Sequence, residues 1–454
     1  MKLSFSLFFT VSALHSVSAF APTPVPSTGS NLKATVAGGL VPPKSVKDLA
    51  TGDLYDNNVQ KTYGRYPLTI ESGEGCYLKT TDGKKYLDCV SGIATCALGH
   101  NNAALTKAVS DQMNTVHHVS NLYLIPEQAA LATWLCDNSG ADKAFFCNSG
   151  AEANEAAIKC ARRHASNRGI AKPVIISAES SFHGRTLAAL SATVQPKYHK
   201  GFGYDGKMVP GFDNCKYNDI GTLEEAVVRA NSDGKGLAAI LMEPLQGEGG
   251  IIPGDKEFFK RARELCDEHG ALLICDEVQA GMGRTGTLWG HEHLDIVPDI
   301  FTSAKALGGG VPIGAMLAKG EAATTFGPGD HASTYGGNPL ACAAGLAVAN
   351  YMCEHNILEN VNARGEQLKK GLEALAEKYP SVLGDVRGLG LLRGVECIAE
   401  DTTAGELVGA AMQEGLLLVP AGSNVVRFVP PLIITEDELD LALERFEAAV
   451  KSKA

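Results

Sequence analysis

The sequence has no Cys-x-x-Cys pair and no histidine cluster at the spacing of metal ligands, although it contains 12 cysteines. These absences argue against a zinc site and a disulfide framework, and they favour work in a reducing compartment. Cys147 and Cys275 lie within apolar runs, where a small buried side chain is the favoured interpretation. No GxxxxGK[ST] loop occurs, so the phosphate-binding loop of many nucleotide enzymes is absent.

Positive charge is also scarce. The 454 residues carry a formal net charge of -11, which argues against a nucleic-acid partner because such proteins need a concentrated Lys/Arg surface. A composition that is 45% hydrophobic and 20% charged is ordinary for a soluble globular protein of two or three domains. No internal repeat follows residue 50, so residues 51–454 are interpreted as one continuous functional part.

The first 50 residues differ in composition from the rest. Lys2 precedes the apolar run Leu3–Leu14, and Val17–Ala19 resembles a signal-peptide cleavage site. This run is too short to anchor the mature protein in a membrane. Residues 20–50 are rich in Pro, Ser and Thr and have no acidic residue before Asp48, which is typical of a transit peptide.

We therefore predict a signal-peptide-like segment at residues 1–19 and a transit-peptide-like leader at residues 20–50. The junction at residues 18–22, Ser-Ala-Phe-Ala-Pro, resembles the bipartite plastid-targeting junction of diatoms and related algae. This resemblance predicts delivery to a plastid. Secretion and delivery to a mitochondrion are the alternatives.

Short apolar runs alternate with helical patterns through the middle of the chain. This alternation predicts an α/β fold, in which helices cover both faces of a mostly parallel sheet. The predicted buried strands are Ala144–Cys147, Val174–Ala178, Ala238–Met242, Ala271–Cys275, Ile300–Ser303 and Ile313–Leu317. Helices are predicted at Ala151–Ala165 and Lys256–His269.

The two ends of the chain have a different pattern. A hairpin is predicted around Asp82–Gly83, and a helix at Asn360–Lys378 leads into strands at Val386–Val395 and Val425–Val429. We predict a small α+β domain built from both termini around a large central domain. The predicted boundaries are 51–115 for its N-terminal part, 116–345 for the large domain and 346–454 for its C-terminal part.

Polar residues follow one predicted strand after another. They are Asn148–Ala151, Phe182–Arg185, Glu243, Asp276 and Lys305. In an open parallel sheet, ligands bind outside the carboxyl ends of the strands. The sequence therefore predicts that these five groups meet at one edge of the sheet.

Lys305 and Asp276 suggest the chemistry at this edge. A lysine after a buried strand and before three glycines can lose its proton by desolvation and attack an aldehyde. A solvated lysine at a strand end is the far commoner alternative. A buried Asp276 needs a charged partner, which a protonated pyridine nitrogen would supply. A helix cap or a Mg²⁺ ligand is the alternative for Asp276, and Gln279 could donate to a phenolic oxygen of the ring.

The segment Ser149–Ala151 lies where a strand turns into a helix. Backbone N–H groups and the helix dipole at such a turn form a phosphate site, and Gly150 allows close approach. An ordinary turn and helix cap is the alternative. Phe182 could stack on a cofactor ring, with ordinary core packing as the alternative.

These motifs together resemble the class III (subgroup II) aminotransferases, which depend on pyridoxal 5'-phosphate (PLP), have fold type I and form dimers with shared active sites. The resemblance runs from about Tyr63 to about Phe446. The densest matching stretches are Phe146–Glu155, Phe182–Thr186, Asp276–Gln279, Gly281–Gly286 and Ser333–Pro339.

The resemblance implies a role for each matching residue. Lys305 would hold PLP as a Schiff base, and Asp276 would pair with the ring nitrogen. The remaining cofactor-binding residues would be Ser149, Gly150, Ala151, Phe182, Glu243, Val278, Gln279 and, reaching the partner subunit's cofactor, Thr334. The substrate-binding residues would be Arg185, Glu248, Ser333 and Arg427. Glu248 would cover Arg427 until a substrate α-carboxylate takes its place.

Within the family, the sequence most resembles members that transfer an amino group from N2-acetylornithine to 2-oxoglutarate, giving glutamate. Ile93 stands where ornithine-specific members carry a tyrosine for the free α-amine. Transamination of ornithine, succinylornithine or 4-aminobutyrate is the nearest alternative. An aminomutase, a racemase or a non-catalytic relative on the same scaffold is more distant.

Overall fold

The computed structural model describes Tyr55 and residues 57–453. The predicted leader, residues 1–50, lies outside these residues. The chain divides into two compact units, Met1–Tyr66 and Pro67–Ala454. In the first unit, the guanidinium of Arg65 lies 4.7 Å from the ring centroid of Tyr55. The predicted domain boundaries near residues 115 and 345 stay predictions.

The second unit contains seventeen strands within the described residues. They are β1 (Ile70–Glu74), β2 (Tyr77–Thr80), β3 (Lys85–Asp88), β4 (Lys143–Cys147), β5 (Pro173–Ala178), β6 (Phe212–Cys215), β7 (Gly236–Met242), β8 (Leu245–Gln246), β9 (Ile252–Pro253), β10 (Leu272–Asp276), β11 (Ile300–Ser303), β12 (Gly314–Ala318), β13 (Leu383–Leu389), β14 (Leu392–Cys397), β15 (Leu416–Leu417), β16 (Val419–Ala421) and β17 (Val425–Phe428).

The helices lie mainly between these strands. They are α1 (Ser91–Ala94), α2 (Ala103–Thr115), α3 (Pro126–Asp137), α4 (Gly150–Asn167), α5 (Leu187–Ala192), α6 (Pro196–His199), α7 (Ile220–Ala230), α8 (Lys256–His269), α9 (Pro339–Glu354), α10 (Ile357–Lys378), α11 (Ala404–Gln413) and α12 (Glu436–Lys451). The described residues also form three short 3₁₀ turns, at Gly290–Leu294, Lys305–Gly308 and Ala322–Thr324.

A seven-stranded sheet forms the centre of the second unit, in the order β4-β12-β11-β10-β7-β5-β6. Strands β6, β5, β7, β10 and β11 pair in parallel, and β12 is antiparallel to both of its neighbours, β11 and β4. The carboxyl ends of β4, β5, β7, β10 and β11 therefore lie at one edge. The predicted α/β fold with a mostly parallel sheet is confirmed.

Helix α4 covers this sheet with an alanine-rich face. Ala156, Ala157 and Ala161 are fully buried against side chains of β5, β7 and β10, such as Ile175 and Leu241. Small side chains let the helix axis come close to the sheet, and continuous burial accounts for the apolar runs of the strands. The first turn of α4 is therefore held firmly over the edge where β10 and β11 end.

The second unit also contains two smaller four-stranded sheets, of which one combines strands from both ends of the chain. Residues Leu416–Leu417 of β15 pair in parallel with Leu87–Asp88 of β3, so a C-terminal strand completes the N-terminal hairpin sheet. The other sheet has the order β13-β14-β17-β16. The predicted segment Val386–Val395 spans parts of two antiparallel strands, because the chain turns at Gly390 with φ of +51°.

Several negative findings concern the described part of the chain. None of the helices there has the length and apolar content needed to cross a bilayer. No group of three or more His, Cys, Asp or Glu side chains within it could hold a metal ion. All twelve cysteines lie in this part and are free, and burial raises the pKa of Cys147 to about 12.

Candidate active site

A cavity of about 390 Å³ opens at the edge where the five strands end. Its walls come from the segments that follow β4, β5, β7, β10 and β11. Ten of the residues predicted for the site line it, namely Ser149, Gly150, Ala151, Phe182, Arg185, Glu243, Asp276, Val278, Gln279 and Lys305. The structure thus brings together side chains that are up to 156 positions apart between Ser149 and Lys305.

Lys305 opens the 3₁₀ turn that follows β11, with a backbone φ of +43°. Non-glycine residues rarely adopt this left-handed conformation, and such strain occurs most often at functional sites. Among the described residues, its amine has no hydrogen-bond or ion-pair partner. Burial, reinforced by Arg427, lowers the pKa of Lys305 to about 8, against opposing effects of Asp276 and other carboxylates. The amine is therefore a usable nucleophile and base near neutral pH.

Asp276 is the last residue of β10 and is buried below the cavity. Its Oδ2 lies 2.7 Å from Nδ1 of His183 and accepts a hydrogen bond from Nδ2 of Asn154 at 2.7 Å. Its Oδ1 accepts from the backbone N–H of Val278 at 3.0 Å. Thr302 in turn donates to Oδ1 of Asn154 at 2.9 Å. This network fixes the carboxylate in one orientation toward the cavity.

The first turn of α4 forms another wall. Ser149 is the N-cap, and its hydroxyl accepts a hydrogen bond from the N–H of Glu152 at 3.2 Å. The N–H groups of the first helical residues have no partner within a helix and suit an anion. A Cβ atom at Gly150 would lie 2.6 Å from Cγ1 of Val278. Only glycine therefore fits between this turn and the segment after β10.

Glu243 anchors the segment that carries Phe182. Its carboxylate accepts hydrogen bonds from the backbone N–H groups of Phe182 at 3.0 Å and Gly247 at 3.2 Å. Burial is the main reason why the pKa of Glu243 is raised to about 7, with Asp276 acting in the same direction and His183 opposing it. Glu243 thus connects the ends of β5 and β7 at the cavity.

A second cationic group approaches the cavity from β17. Arg427 is buried, and its Nη1 donates to Oε1 of Gln279 at 2.9 Å. Its Nη2 lies 3.4 Å from Oε2 of Glu248, and its other acceptor is the Pro420 carbonyl at 3.4 Å. Burial lowers the pKa of Arg427, and Glu248 opposes this effect. Glu248 covers this guanidinium through a long, weak contact.

Arg185 lies at the exposed side of the cavity. Its Cζ atom is 3.8 Å from the ring centroid of Tyr198 and 5.3 Å from that of Phe182. No carboxylate of the described residues forms a salt bridge with Arg185. Arg427 and Glu248 do not line the cavity, but Gln279, which does, contacts Arg427. The site therefore has one open arginine in the cavity wall and one covered arginine behind it, which suits two carboxylates of different substrates.

Ser333 and Thr334 do not line this cavity. The Ser333 hydroxyl accepts from Nδ2 of Asn148 at 3.1 Å, and Asn148 itself is in the cavity wall. Thr334 is exposed. Their predicted roles toward a partner subunit stay predictions.

The sequence analysis gave no role to three contributors, namely Asn154, His183 and Tyr198, although His183 lies within the predicted group Phe182–Arg185. Asn154 and His164 are the polar residues among the buried residues of α4, and Asn154 lies in its first two turns, next to the phosphate turn, which could have identified it. His183 is next to Phe182 in the matched motif. Tyr198 lies on the four-residue helix α6, where periodicity gives no indication of its direction.

The cavity can be compared with the chemical groups of PLP. The helix turn at Gly150 suits a phosphate, and the ring of Phe182 borders space for a flat heterocycle. The fixed carboxylate of Asp276 suits a protonated ring nitrogen, and the amine of Lys305 suits an aldehyde. Fold and site together define a PLP-dependent transferase of fold type I.

The family follows from comparison with known proteins. The Aminotransferase class-III family model matches residues 58–450, and the chain belongs to this family of PLP-dependent aminotransferases. The acetylornithine aminotransferase of Thermosynechococcus vestitus is 58% identical over 401 residues, which are 88% of this chain and 96% of that protein.

Solved structures agree with this assignment. The N-acetylornithine aminotransferase of Stenotrophomonas maltophilia has a TM-score of 0.74 and 39% identity, covering 86% of this chain and 97% of its own. An ornithine aminotransferase from Toxoplasma gondii, described with partial occupancy of PLP at its active site, has a TM-score of 0.82 and 31% identity. That likeness covers 88% of this chain and 93% of the other.

Proposed function

We propose that this protein transfers the δ-amino group of N2-acetyl-L-ornithine to 2-oxoglutarate, giving N-acetyl-L-glutamate 5-semialdehyde and L-glutamate, in arginine biosynthesis. The observation that carries this proposal is a pair of arginines at one site, of which Arg185 lines the cavity and is open, whereas Arg427 is bonded to the lining residue Gln279 and is covered by Glu248. The acetylornithine aminotransferase names of the similar proteins support the same choice.

The predicted site residues that line the cavity each have a proposed part in the reaction. PLP, when bound, supplies an electron sink that stabilises negative charge at the substrate carbon. Lys305 would hold PLP covalently and, once the substrate amine has displaced its own amine, would move a proton at that carbon as a base and acid. Asp276 would hold its charge against the ring nitrogen, and Phe182 would pack on the ring. The N–H groups of Gly150 and Ala151 bind the phosphate.

The other cofactor contacts follow from position in the cavity. Ser149 caps the phosphate turn, and Val278, which lies against Gly150 in that turn, would pack on the ring. Glu243 holds the Phe182 segment in place. Gln279 donates to the phenolic oxygen of the ring while its carbonyl oxygen keeps Arg427 oriented.

The two arginines distinguish the two substrates by the number of carboxylates that each substrate presents. N2-acetylornithine places its single α-carboxylate on Arg185, and Glu248 keeps Arg427 covered. Glutamate and 2-oxoglutarate have two carboxylates, one for Arg185 and one for Arg427, so Glu248 must move aside. A bidentate guanidinium contact then replaces the 3.4 Å contact with Glu248.

The segment around Ile93 supports the choice of an acetylated donor. Ser91, Gly92, Ile93 and Ala94 all have positive φ, with +61° at Ile93, which is strained for a β-branched residue. Thr95, the next residue, lines the cavity. Because isoleucine has no hydrogen-bonding group, this segment favours a substrate whose α-amine is acylated.

A substrate panel tests the proposal. Purified protein loaded with PLP is given 2-oxoglutarate and one of N2-acetylornithine, ornithine, succinylornithine or 4-aminobutyrate, and glutamate is measured. The proposal requires the highest kcat/KM for N2-acetylornithine and formation of its semialdehyde. A higher kcat/KM for any other donor would overturn it.

We also propose that the protein acts as a homodimer. The consecutive residues Leu122, Tyr123 and Leu124 are 86%, 69% and 100% exposed, which is unusual for apolar side chains in a monomer. The adjacent Asn121 donates to the carbonyl of Gly336 at 2.9 Å, which ties this surface to the segment with Ser333 and Thr334.

In a dimer of this kind, Ser333 would reach the substrate and Thr334 the cofactor phosphate of the partner subunit. Light scattering after gel filtration tests this arrangement. Leu124→Asp should shift a dimer toward monomer and lower activity, whereas Val228→Asp, on the exposed face of α7, should not. A monomeric, active wild-type protein would contradict the proposal.

For localisation, we propose delivery to a plastid, on the basis of residues 1–50. A fluorescent protein fused to this segment should enter plastids when expressed in an alga of the diatom type. Accumulation in mitochondria or in the medium would overturn the proposal. A fusion with residues 20–50 alone is the control, since it lacks the signal-peptide-like part.

A further inference from the structure

One tyrosine contacts the groups that define both carboxylate sites. Tyr198 lies on helix α6, and its ring centroid is 3.8 Å from Cζ of Arg185. Its hydroxyl donates a hydrogen bond to Oε1 of Glu248 at 3.1 Å. Its ring also meets Phe182 edge to face, with 6.0 Å between centroids. Tyr198 therefore connects the open arginine to the residue that covers the other one.

The hydrogen bond from Tyr198 to Glu248 is informative because the two carboxylate oxygens of Glu248 have different partners. One carboxylate oxygen, Oε2, is 3.4 Å from Nη2 of Arg427, and the other accepts from Tyr198. Arg427 can bind a substrate carboxylate through two N–H groups only after Glu248 leaves Nη2. The released carboxylate then loses its cationic partner, and the Tyr198 hydroxyl remains as a donor for it. Loss of this hydroxyl therefore destabilises Glu248 in the released position more than Glu248 paired with Arg427.

The position of Tyr198 is fixed by its neighbours. The buried Gln195 donates from Nε2 to the carbonyls of Ser180 at 3.1 Å and Ser181 at 3.0 Å. The backbone N–H of Tyr198 donates to the Gln195 carbonyl at 2.9 Å. His199, on the other side, has Nε2 at 2.6 Å from the Thr193 carbonyl. Helix α6 is thus anchored on both sides of Tyr198, and this fixes the ring where it contacts Arg185.

We propose that Tyr198 determines specificity for the dicarboxylate substrate. Its hydroxyl stabilises Glu248 in the released position, and its ring orients Arg185 for the carboxylate common to both substrates. The inference rests on the proposed function for the identity of the substrates. The hydroxyl acts only in the half-reaction with the dicarboxylate substrate, whereas the ring acts in both half-reactions.

Two variants separate these contributions. Tyr198→Phe removes the hydroxyl and keeps the ring, so KM for 2-oxoglutarate should rise roughly tenfold, the value of one hydrogen bond to a charged group. The kcat/KM for N2-acetylornithine should stay within about twofold, since Glu248 remains on Arg427 for that substrate. Tyr198→Leu should also raise KM for N2-acetylornithine, by about two- to fivefold, because Arg185 loses its aromatic contact.

Tyr204→Phe is the matched control, because Tyr204 is highly exposed and follows α6 closely in the chain. Tyr204→Phe should leave KM for both substrates unchanged. A double-mutant cycle gives a second readout. Once Glu248 is replaced by alanine, Tyr198→Phe should have no further effect on KM for 2-oxoglutarate. If Tyr198 had a merely structural role, Tyr198→Phe would change KM for both substrates alike. The effect would also persist in the Glu248→Ala protein.

Equal effects of Tyr198→Phe on both substrates, or an unchanged KM for 2-oxoglutarate, would overturn the inference. The proposed function can fail separately. If the wild-type protein does not use N2-acetylornithine, the single-turnover reaction of glutamate with the PLP-loaded protein still measures the Arg427 site. In that reaction Tyr198→Phe should weaken glutamate binding roughly tenfold, and no change would overturn the inference.

Discussion

Oδ2 of Asp276 lies 2.7 Å from Nδ1 of His183, and both side chains are buried beneath the cavity. A carboxylate at the end of a buried strand is costly unless charged or hydrogen-bonding groups surround it. Here His183, Asn154 and the N–H of Val278 hold it from three directions. The floor of the site is therefore fixed before any ligand binds, which favours charge stabilisation without reorganisation.

We expect Asp276→Asn to lower kcat by about 10²- to 10³-fold, since a preorganised charge is removed from the site. PLP should still bind, because Lys305 and the turn at Gly150 are unchanged. Asp295→Asn, on an exposed aspartate, is the control and should have wild-type kcat. Steady-state rates and visible absorbance check this prediction, and an unaltered kcat in Asp276→Asn would count against it.

His183→Phe should have a smaller effect of roughly tenfold on kcat, because Asp276 keeps its contacts with Asn154 and Val278. The order of the two effects is the informative result. If His183→Phe were more damaging than Asp276→Asn, the histidine would act on the substrate or cofactor directly. Kinetics of both variants at one pH, with melting temperatures to exclude unfolding, decide between these outcomes.

The lowered pKa of Lys305 predicts how the cofactor-free protein takes up PLP at different pH values. The neutral amine is the attacking form, and its fraction rises with pH until the pH passes about 8. The rate of reconstitution should therefore reach half of its maximum near pH 8 and level off above it. A free lysine derivative, whose pKa is 10.5, should continue to rise beyond that point under the same conditions. A protein rate that keeps rising to pH 10 would contradict the prediction.

Gly150→Ala should weaken PLP binding although alanine favours helices, because the new Cβ would lie 2.6 Å from Cγ1 of Val278. Crowding of this kind costs about 1–3 kcal/mol, which corresponds to a roughly 5- to 150-fold higher Kd. Adding Val278→Ala should recover part of the affinity by making space. Titration of cofactor-free protein with PLP gives the values, and no recovery in the double variant would locate the defect elsewhere.

The central sheet could be predicted from sequence because its strands are buried on both faces and so read as apolar runs. Strand Ile300–Ser303 and helix Lys256–His269 have the predicted bounds. The helix is delimited by Asp255, whose side chain accepts from the N–H of Phe258 at 3.0 Å, and by Gly270 with φ of +59°. These local features fix its ends without tertiary information.

Strand Phe212–Cys215 was not predicted, because it lies at the edge of the sheet and its sequence, Phe-Asp-Asn-Cys, has no apolar run. The same limit applies to the site. Positions at strand ends, such as Lys305 and Asp276, follow from the order of elements along the chain. Contacts such as those of Tyr198 with Arg185 and Glu248 depend on how a short helix packs, and no periodic pattern encodes that packing.

The most direct test of the account is the replacement of Lys305, with Lys319 as the matched control, since both lysines follow strands of the same sheet and Lys319 is exposed. Both variants are purified in the presence of PLP and assayed with N2-acetylornithine and 2-oxoglutarate. Lys305→Ala should have no turnover and should lack the visible absorbance of the lysine-bound cofactor, whereas Lys319→Ala should keep both. An active, still yellow Lys305→Ala protein would contradict the account.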